Sequence, residues 1–244
     1  MRATCLILAL AACGRIGFDT SSRRDDAGAS DAASPDAAEI PPGPRIWLRM
    51  ETDPTTGIID SAGNHEVTCA VGGCPMRVAG IHGSGYAFTD QEVDVANAAD
   101  LDSSGGFTAA IWLRLDAFPT DEACLWTKSF DNANGYDTFT LCIGSDGTAI
   151  FDGETPGGSA DAETGPQLAL GTWHHLALSW DGTTKRGYVD GVNVVTVEIQ
   201  LGAGTEPLAL GGSRSSYFVQ GTVDDALYYT RALSAAEVTQ LATP

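Results

Sequence analysis

The chain has little positive charge. Its 244 residues include 13 lysines and arginines against 32 aspartates and glutamates, for a formal net charge of −19. Only two residues are lysines, Lys128 and Lys185, and basic residues never cluster beyond pairs. Nucleic acid and anionic membrane surfaces are bound through clustered lysine and arginine side chains. The composition therefore excludes a nucleic-acid partner and adsorption to lipid through a basic patch.

Several enzyme and metal-site signatures are also missing. The sequence has no G-x-S-x-G, H-E-x-x-H or phosphate-binding P-loop motif. No two cysteines have the Cys-x₂-Cys spacing of a zinc knuckle. We therefore expect a protein that is not an enzyme, and we assign no catalytic residue.

The N-terminus, MRATCLILALAACGRIG, has one arginine followed by a short apolar run. The run is far below the roughly 20 residues that cross a bilayer, so it predicts a secretory signal peptide. The segment Leu10–Cys13 resembles a bacterial lipobox, which implies lipidation of Cys13. Gly14 after the cysteine favours the outer membrane by the same resemblance, with the protein facing the periplasm or the cell surface. The alternatives are an ordinary signal peptide and a start site placed too far downstream.

The next segment, up to about residue 44, is rich in Ala, Ser, Asp, Gly and Pro. It has almost no apolar material to bury, which is typical of a flexible tether. The predicted organisation is a signal peptide at 1–12, a lipid-anchored linker at 13–44 and one folded domain at 45–244. Membrane contact is expected only through the lipid anchor.

Four further cysteines remain after Cys5 and Cys13 are set aside. Four cysteines in an exported protein favour two disulfides, for which three pairings exist. Cys69 and Cys74 flank a Gly-Gly bend in TCAVGGCP, which favours a small closed loop. Cys124 and Cys142 would then face each other across neighbouring strands.

From residue 45 onward, short apolar or alternating runs are separated by Gly, Asp and Asn turns. This pattern predicts an all-β sandwich or barrel. The one helical pattern is SAAEVTQLA near the C-terminus, where Ser234 and Glu237 have capping-box spacing. In WHHLALSW, alternation places His174 and His175 on opposite sides of a strand, so they cannot act as a pair. Asp-Gly at 181–182 and at 190–191 predicts tight turns that make this region a three-stranded meander.

The stretch GTWHHLALSWDGTTKRGYVDGVNV resembles the hallmark run of LamG-like, concanavalin A-like jelly-roll domains. The segments IIDSAGNH, GSGYAFTD, GFTAAIWLRLDAFP, LALGGS and GTVDDALYYTRALSAAEV resemble further landmarks of that family, in the same order. The resemblance covers about residues 45–241. It implies a jelly-roll β-sandwich of two antiparallel sheets with a short C-terminal helix. Fold alone does not determine function, because such domains include binding modules, adhesion domains and accessories of glycosidases.

Some glucanases of this fold carry two or three acids at alternate positions of one strand. Glu92 and Asp94 match part of that motif and share one strand face, but Ala96 and Asn97 replace the third acid. We therefore keep a glycoside-processing enzyme only as an alternative.

The resemblance also implies a structural calcium ion near the first and last strands of the domain. Calcium prefers several oxygen ligands, and the matching positions are Glu51, Asp60, Asn64 and Asp224. Met50 and Thr52 depart from the F-D-E pattern of the family around Glu51. The competing interpretation is that Asp60 and Asn64 form turn hydrogen bonds and that Asp224 pairs with Arg231.

Sugars are held by aromatic faces and planar polar side chains. Two loops offer such groups, SFDNANGYDTF and SRSSYFVQG. The predicted ligand-binding residues are Asp131, Asn132, Asn134, Tyr136, Asp137, Arg214 and Tyr217. We interpret Phe218 and Trp112 as core residues.

The sequence thus predicts an exported, tethered binding or adhesion module for carbohydrate or a surface protein. A structural envelope protein that packs against a protein partner is the second alternative.

Overall fold

The structure is a computed structural model that describes residues 40–128, 137–158, 161–213 and 215–244. The described residues all belong to one compact unit, 36–244. Cys13, the predicted signal peptide and most of the predicted linker lie outside the described residues. Within the described part, no helix has the length and apolar character needed to cross a bilayer.

The described residues form fifteen strands, one short 3₁₀ helix (Ala99–Leu101) and one α-helix. In chain order these are β1 (Ile46–Leu48), β2 (Val67–Val71), β3 (Met76–Ala79), β4 (Ser84–Phe88), β5 (Glu92–Val95), β6 (Phe107–Leu115), β7 (Glu122–Lys128), β8 (Phe139–Gly144), β9 (Thr148–Asp152), β10 (Glu163–Gln167), β11 (Trp173–Trp180), β12 (Thr184–Val189), β13 (Val192–Glu198), β14 (Leu208–Leu210), β15 (Gly221–Tyr229) and α1 (Ala235–Leu241).

The strands form two antiparallel sheets. Sheet A has the order β13-β12-β11-β6-β15-β4-β3, and β1 also pairs with β15. Sheet B has the order β10-β9-β8-β7-β14-β5-β2. The predicted jelly-roll sandwich of two antiparallel sheets with a short C-terminal helix is confirmed. The first strand, β1, pairs with the last, β15.

The main core lies between the two sheets. Alternate residues of each strand point into it, as the period of two in the sequence predicts. Leu176 and Leu178 of β11 are fully buried in this core together with Phe139 and Leu141 of β8 and Leu210 of β14.

The meander β11–β12–β13 contains both predicted Asp-Gly turns. Asp190 and Gly191 connect β12 to β13, with φ of 52° and 75°. Two residues with positive φ match the twist of an antiparallel hairpin, which explains the Asp-Gly pair at this turn. At the other turn, the Asp181 carboxylate accepts hydrogen bonds from the backbone N–H groups of Thr183 and Thr184.

A second apolar cluster covers the opposite, outer face of sheet A. Helix α1 begins with the predicted capping box, in which Ser234 and Glu237 each accept a backbone hydrogen bond from the other. Its buried residues Val238 and Leu241 pack over the outer side chains of sheet A. Ile40 packs against the same cluster. The segment before β1 and the C-terminal helix therefore cover the same face.

Both disulfides have the predicted pairing. Cys69 lies in β2 and bonds to Cys74, five positions later, in the connection to β3. Cys124 and Cys142 lie directly opposite each other on β7 and β8, on the outer face of sheet B. The second disulfide therefore joins two neighbouring strands in the middle of their sheet.

Candidate functional site

A groove of about 430 Å³ lies between the β6–β7 connection and the segment that leads into β15. We call it the Phe118–Tyr217 groove. Its lining residues are Thr89, Phe118, Pro119, Thr120, Asp121, Glu122, Tyr217, Phe218 and Gln220. Such a volume is in the range of small-molecule sites.

Two aromatic side chains are exposed in this groove. Tyr217 is 47% exposed and Phe118 is 37% exposed, although most large apolar side chains of the domain are buried. A β-carbon at Gly147 would overlap the Phe118 ring, so the glycine of the β8–β9 turn leaves the space that this ring occupies. Phe218 is partly buried against Gly212. The prediction that Phe218 is a core residue is therefore not met, since its ring lines the groove and belongs to neither apolar cluster.

The backbone around Tyr217 is held in an uncommon conformation. Ser215 and Tyr217 have φ of 61° and 52°, in the left-handed region that non-glycine residues seldom adopt. Ser213 and Ser216 exchange two backbone hydrogen bonds, and the Tyr217 carbonyl accepts a 2.7 Å bond from the backbone N–H of Cys124. Such strain costs about 1–3 kcal/mol per residue and is often found at ligand sites. The local contacts therefore fix the position from which the Tyr217 ring reaches solvent.

The charged residues that line the groove are acidic. Burial raises the pKa of Glu122, and the nearby carboxylates of Asp152 and Asp121 raise it further. Glu122 also forms a group of potential metal ligands with Cys124 and Cys142. Because both sulfurs are committed to the disulfide, this group is not a metal site.

A larger open depression of about 630 Å³ lies beside the edge strand β3. It is lined by residues such as Asp53, Met76 and Arg77, and none of its lining residues is aromatic. It lacks the stacking groups that the Phe118–Tyr217 groove has.

Glu92 and Asp94 lie on the outer face of sheet B. Glu92 is only 5% exposed, and its Oε2 accepts a 3.0 Å hydrogen bond from the backbone N–H of Ser215. Burial raises the pKa of Glu92, and burial also raises the pKa of Asp94. The contact with Ser215 makes Glu92 a support for the loop that carries Tyr217.

The predicted calcium ligands are in two separate networks. The Asp60 carboxylate accepts hydrogen bonds from the backbone N–H groups of Trp47 and Ala62 and lies 2.7 Å from Nδ1 of His65. His65 Nε2 in turn lies 3.1 Å from Asp100. For Asp60, the network agrees with the competing interpretation, in which its carboxylate forms turn hydrogen bonds.

Asp224 and Glu51 hold the loop between β3 and β4 instead. Asp224 Oδ2 accepts hydrogen bonds of 3.0 Å from the backbone N–H groups of Ile81 and His82, and Glu51 Oε1 accepts one from Ser84. The four predicted ligands, including the exposed Asn64, therefore do not form one oxygen cage, and they do not fit a single calcium ion as they stand. Arg231 pairs with Glu237 at 2.7 Å, and not with Asp224.

A group that the sequence did not reveal contains His82, Asp224 and Asp225. His82 Nδ1 lies 2.8 Å from Asp225, and this contact raises the pKa of His82. Burial and the Asp225 charge raise the pKa of Asp224 to about 7. In the sequence, only the neighbouring acids Asp224 and Asp225 pointed to this group. His82 is more than 140 positions away from them, so no local pattern includes it.

His174 and His175 point to opposite sides of β11, as predicted. His174 lies near the surface, 2.9 Å from Asp190. His175 is 1% exposed, and burial lowers its pKa to about 3. Trp112 is 4% exposed and packs edge-on against His175, which confirms its interpretation as a buried residue. His175 is sealed from solvent, and His174 Nε2 accepts a 3.1 Å hydrogen bond from the backbone N–H of Ala169.

Five predicted ligand-binding residues lie outside the described residues: Asp131, Asn132, Asn134, Tyr136 and Arg214. Asp137 is described, and its backbone N–H donates to Glu154. The structure therefore describes Tyr217 and Asp137 among the predicted set, and only Tyr217 lines the groove. The sequence missed Phe118, Asp121 and Glu122, because their position depends on where the β6–β7 connection folds.

Comparison with known proteins supports the fold. The family model Laminin_G_3, described as the concanavalin A-like lectin/glucanases superfamily, matches residues 84–239. No curated protein matches the chain.

Among solved structures, the chain is similar to the binding domain of Paraclostridial Mosquitocidal Protein 1, with 17% identity and a TM-score of 0.66 over 82% of this chain and 52% of that chain. It is also similar to domain 4 of AbnA, an extracellular arabinanase of Geobacillus stearothermophilus in complex with arabinotriose, with 19% identity and a TM-score of 0.62 over 82% of this chain and 98% of that chain. A sialidase of Trypanosoma rangeli in complex with 2,3-difluorosialic acid has 14% identity and a TM-score of 0.64 over 84% of this chain and 33% of that chain. The chain thus spans about half of the first of these structures and a third of the last. At these identities the likeness shows the fold.

Proposed function

Because the chain belongs to the concanavalin A-like lectin/glucanase superfamily, we propose that it is a non-enzymatic binding module that recognises carbohydrate in the Phe118–Tyr217 groove. The observation that carries this proposal is the pair of exposed aromatic rings in one groove, beside Asp121 and Glu122. Aromatic faces cover the apolar C–H surfaces of a sugar ring, and carboxylates accept hydrogen bonds from its hydroxyl groups.

The held backbone around Tyr217 supports a binding role. A ring that is fixed before the ligand arrives loses less conformational entropy on binding. Two of the similar structures contain sugar-type ligands according to their descriptions, arabinotriose in the AbnA domain and 2,3-difluorosialic acid in the sialidase. These ligands support carbohydrate as the class of partner for this chain.

The surroundings of Glu92 and Asp94 favour binding over hydrolysis. An acid pair that cleaves a glycosidic bond must reach the bond from both sides. Glu92 is nearly inaccessible, and one of its oxygens holds the backbone of Ser215. A glycoside-processing activity at this pair is therefore the less favoured proposal.

The location we propose is extracytoplasmic. The two disulfides fit an extracellular domain, because such bonds persist in oxidising compartments. Together with the lipobox-like segment before Cys13, they support an outer-membrane lipoprotein whose tether precedes the folded domain.

The test is a glycan array with the disulfide-bonded protein, once with calcium and once with chelator, followed by calorimetry on any ligand found. We expect binding in both conditions, since the potential ligand group that reaches the groove, Glu122 with Cys124 and Cys142, has both sulfurs in a disulfide. Tyr217→Ala should weaken binding about tenfold or more, which corresponds to the loss of roughly 1.4 kcal/mol of stacking. The control Val192→Ala, on the exposed edge strand β13, should bind as the wild type.

Two results would count against the proposal. If the wild type binds no glycan, a surface-protein partner becomes the better hypothesis, and a pull-down from the cell envelope follows. If Tyr217→Ala binds as the wild type does, the groove is not the site.

A further inference from the structure

The only two lysines of the chain are both fully buried. Lys185 has a carboxylate partner: its Nζ lies 3.3 Å from Asp161 Oδ2 and donates 3.0 Å to the Phe151 carbonyl. Lys128 differs, because its Nζ donates to two neutral oxygens, the Leu101 carbonyl at 3.0 Å and Asn97 Oδ1 at 3.1 Å. Among the described residues, Lys128 has no ion pair, and a buried ammonium group in that state is costly, so Lys128 needs a separate explanation.

A buried glutamate lies in the same region. Glu206 is 8% exposed, and neither of its side-chain oxygens has a hydrogen-bond partner within the described part of the chain. Its charge acts on Lys128 without forming an ion pair among the described contacts. A β-carbon at Gly204 would overlap Glu206 Oε2, so the glycine makes room for the carboxylate. Natural proteins rarely leave both oxygens of a buried carboxylate unsatisfied unless the group has a task.

The state of the Lys128 amine also differs from that of an ordinary lysine. Burial lowers the pKa of Lys128, and the charges of Glu206 and Asp102 only partly oppose this effect. A lower pKa raises the share of neutral amine, which is the nucleophilic form. An amide carbon lies one bond from the Asn97 oxygen that Nζ already contacts.

We propose that Lys128 and Asn97 form an intramolecular amide cross-link, with Glu206 as the group that carries the proton. The Lys128 amine attacks Cγ of Asn97, a Cγ–Nζ bond forms and the Cγ–Nδ2 bond breaks. Glu206 transfers one proton from Nζ to the departing nitrogen, which leaves as ammonia, and the glutamate is regenerated. Asn97 lies in an exposed segment, so the ammonia has a path to solvent. The reaction requires no oxidant and no further reactant.

The cross-link would join the end of β7 to the segment after β5. Both strands pair with β14, which lies between them in sheet B. The covalent bond would therefore span three neighbouring strands. It would connect Asn97 and Lys128, which are 31 positions apart in the sequence. The inference concerns a modification and does not depend on the proposed sugar binding.

Mass spectrometry tests the proposal on the full-length, disulfide-bonded protein. We expect an intact mass lower by about 17 Da, the mass of ammonia, than the sequence and two disulfides predict. After reduction, trypsin should release residues 78–114 joined to an uncut 115–185, because an acylated Lys128 is not cleaved. An unshifted mass with separate peptides 115–128 and 129–185 would overturn the proposal.

Variants assign the roles. Lys128→Arg and Glu206→Gln should abolish the mass loss and the joined peptide, whereas Lys185→Arg, at the other buried lysine, should keep both. Asn97→Asp should cross-link with the loss of water, about 18 Da. A joined peptide that persists in Glu206→Gln would remove Glu206 from the reaction. Circular dichroism of each variant shows whether a missing cross-link reflects a missing fold.

Discussion

The outer faces of the two sheets differ in the kind of side chain that they carry. On sheet A, the apolar side chains Tyr188, Leu227 and Tyr229 form a second core under α1. On sheet B, one row across six strands consists almost entirely of polar and charged residues. The paired positions of this row are Thr68, Asp94, Ala209, Thr127, Thr140 and Asp152.

The comparison teaches that one sandwich can cover one outer face with an apolar cluster and keep a row of polar side chains on the other. The outer face of sheet A is stabilised by apolar burial. It is covered by the segment before β1 and by the C-terminal helix α1. The outer face of sheet B gains little from such burial. It retains carboxylates whose charged forms are disfavoured, since burial raises the pKa of both Asp94 and Asp152.

The largest expected effect comes from opening the outer face of sheet A. Tyr229 is fully buried, and its hydroxyl donates a 2.9 Å hydrogen bond to the Pro41 carbonyl. Tyr229→Ala should lower the free energy of unfolding by about 4 kcal/mol, since it leaves a large cavity. Tyr229→Phe removes only the hydrogen bond and should cost about 1 kcal/mol. Urea unfolding measures both, and equal losses would contradict the role of the ring.

A smaller effect is expected from the disulfide on sheet B. Cys124 and Cys142 are 18 positions apart, and their bond limits the conformations of the unfolded chain. Replacing both with alanine should therefore lower the free energy of unfolding by about 3 kcal/mol. Replacing Cys69 and Cys74, which are five positions apart, should cost about 2 kcal/mol. Thermal unfolding should rank the two variants in this order. The opposite order would show that loop closure is not the dominant contribution.

The smallest effect concerns the carboxylates of sheet B. The folded state raises the pKa of Asp94, so the folded protein binds its proton more tightly than the unfolded chain. Asp94 therefore lowers stability as the pH rises through the interval between the two pKa values. Asp94→Asn should be more stable than the wild type at neutral pH, and the difference should disappear in acid.

Asp53 is the control for that prediction, because hydrogen bonds from Thr55 lower its pKa. Asp53→Asn should therefore change stability in the opposite direction at neutral pH. Unfolding curves at pH 4 and pH 8 measure both variants. A stability gain from Asp53→Asn would mean that net charge, and not the local environment, controls the result.

Much of the fold could be predicted from local patterns. The alternation in WHHLALSW placed His174 and His175 on opposite sides, and the Asp-Gly pairs gave the meander. The spacing of Ser234 and Glu237 gave the start of α1. These features depend on neighbours in the sequence, so one sequence is sufficient to find them.

The candidate sites depend on distant contacts that leave no local pattern. Phe118 meets Tyr217 only because two connections fold side by side, 99 positions apart. Lys128, Asn97 and Glu206 likewise share no motif. The calcium positions were taken from a family pattern, and that pattern did not reveal the contact between Asp60 and His65.

The pairing of β1 with β15 has a mechanical consequence. Tension applied through the residues before Ile40 would reach the domain at Pro41 and Arg45, which bond to Tyr229 and Tyr228. Because β1 and β15 run antiparallel along a three-residue ladder, the load falls on several hydrogen bonds and on the Ile46 and Leu48 side chains buried in the main core. A pull at this end would therefore be opposed by strand pairing and core packing where β1 meets β15.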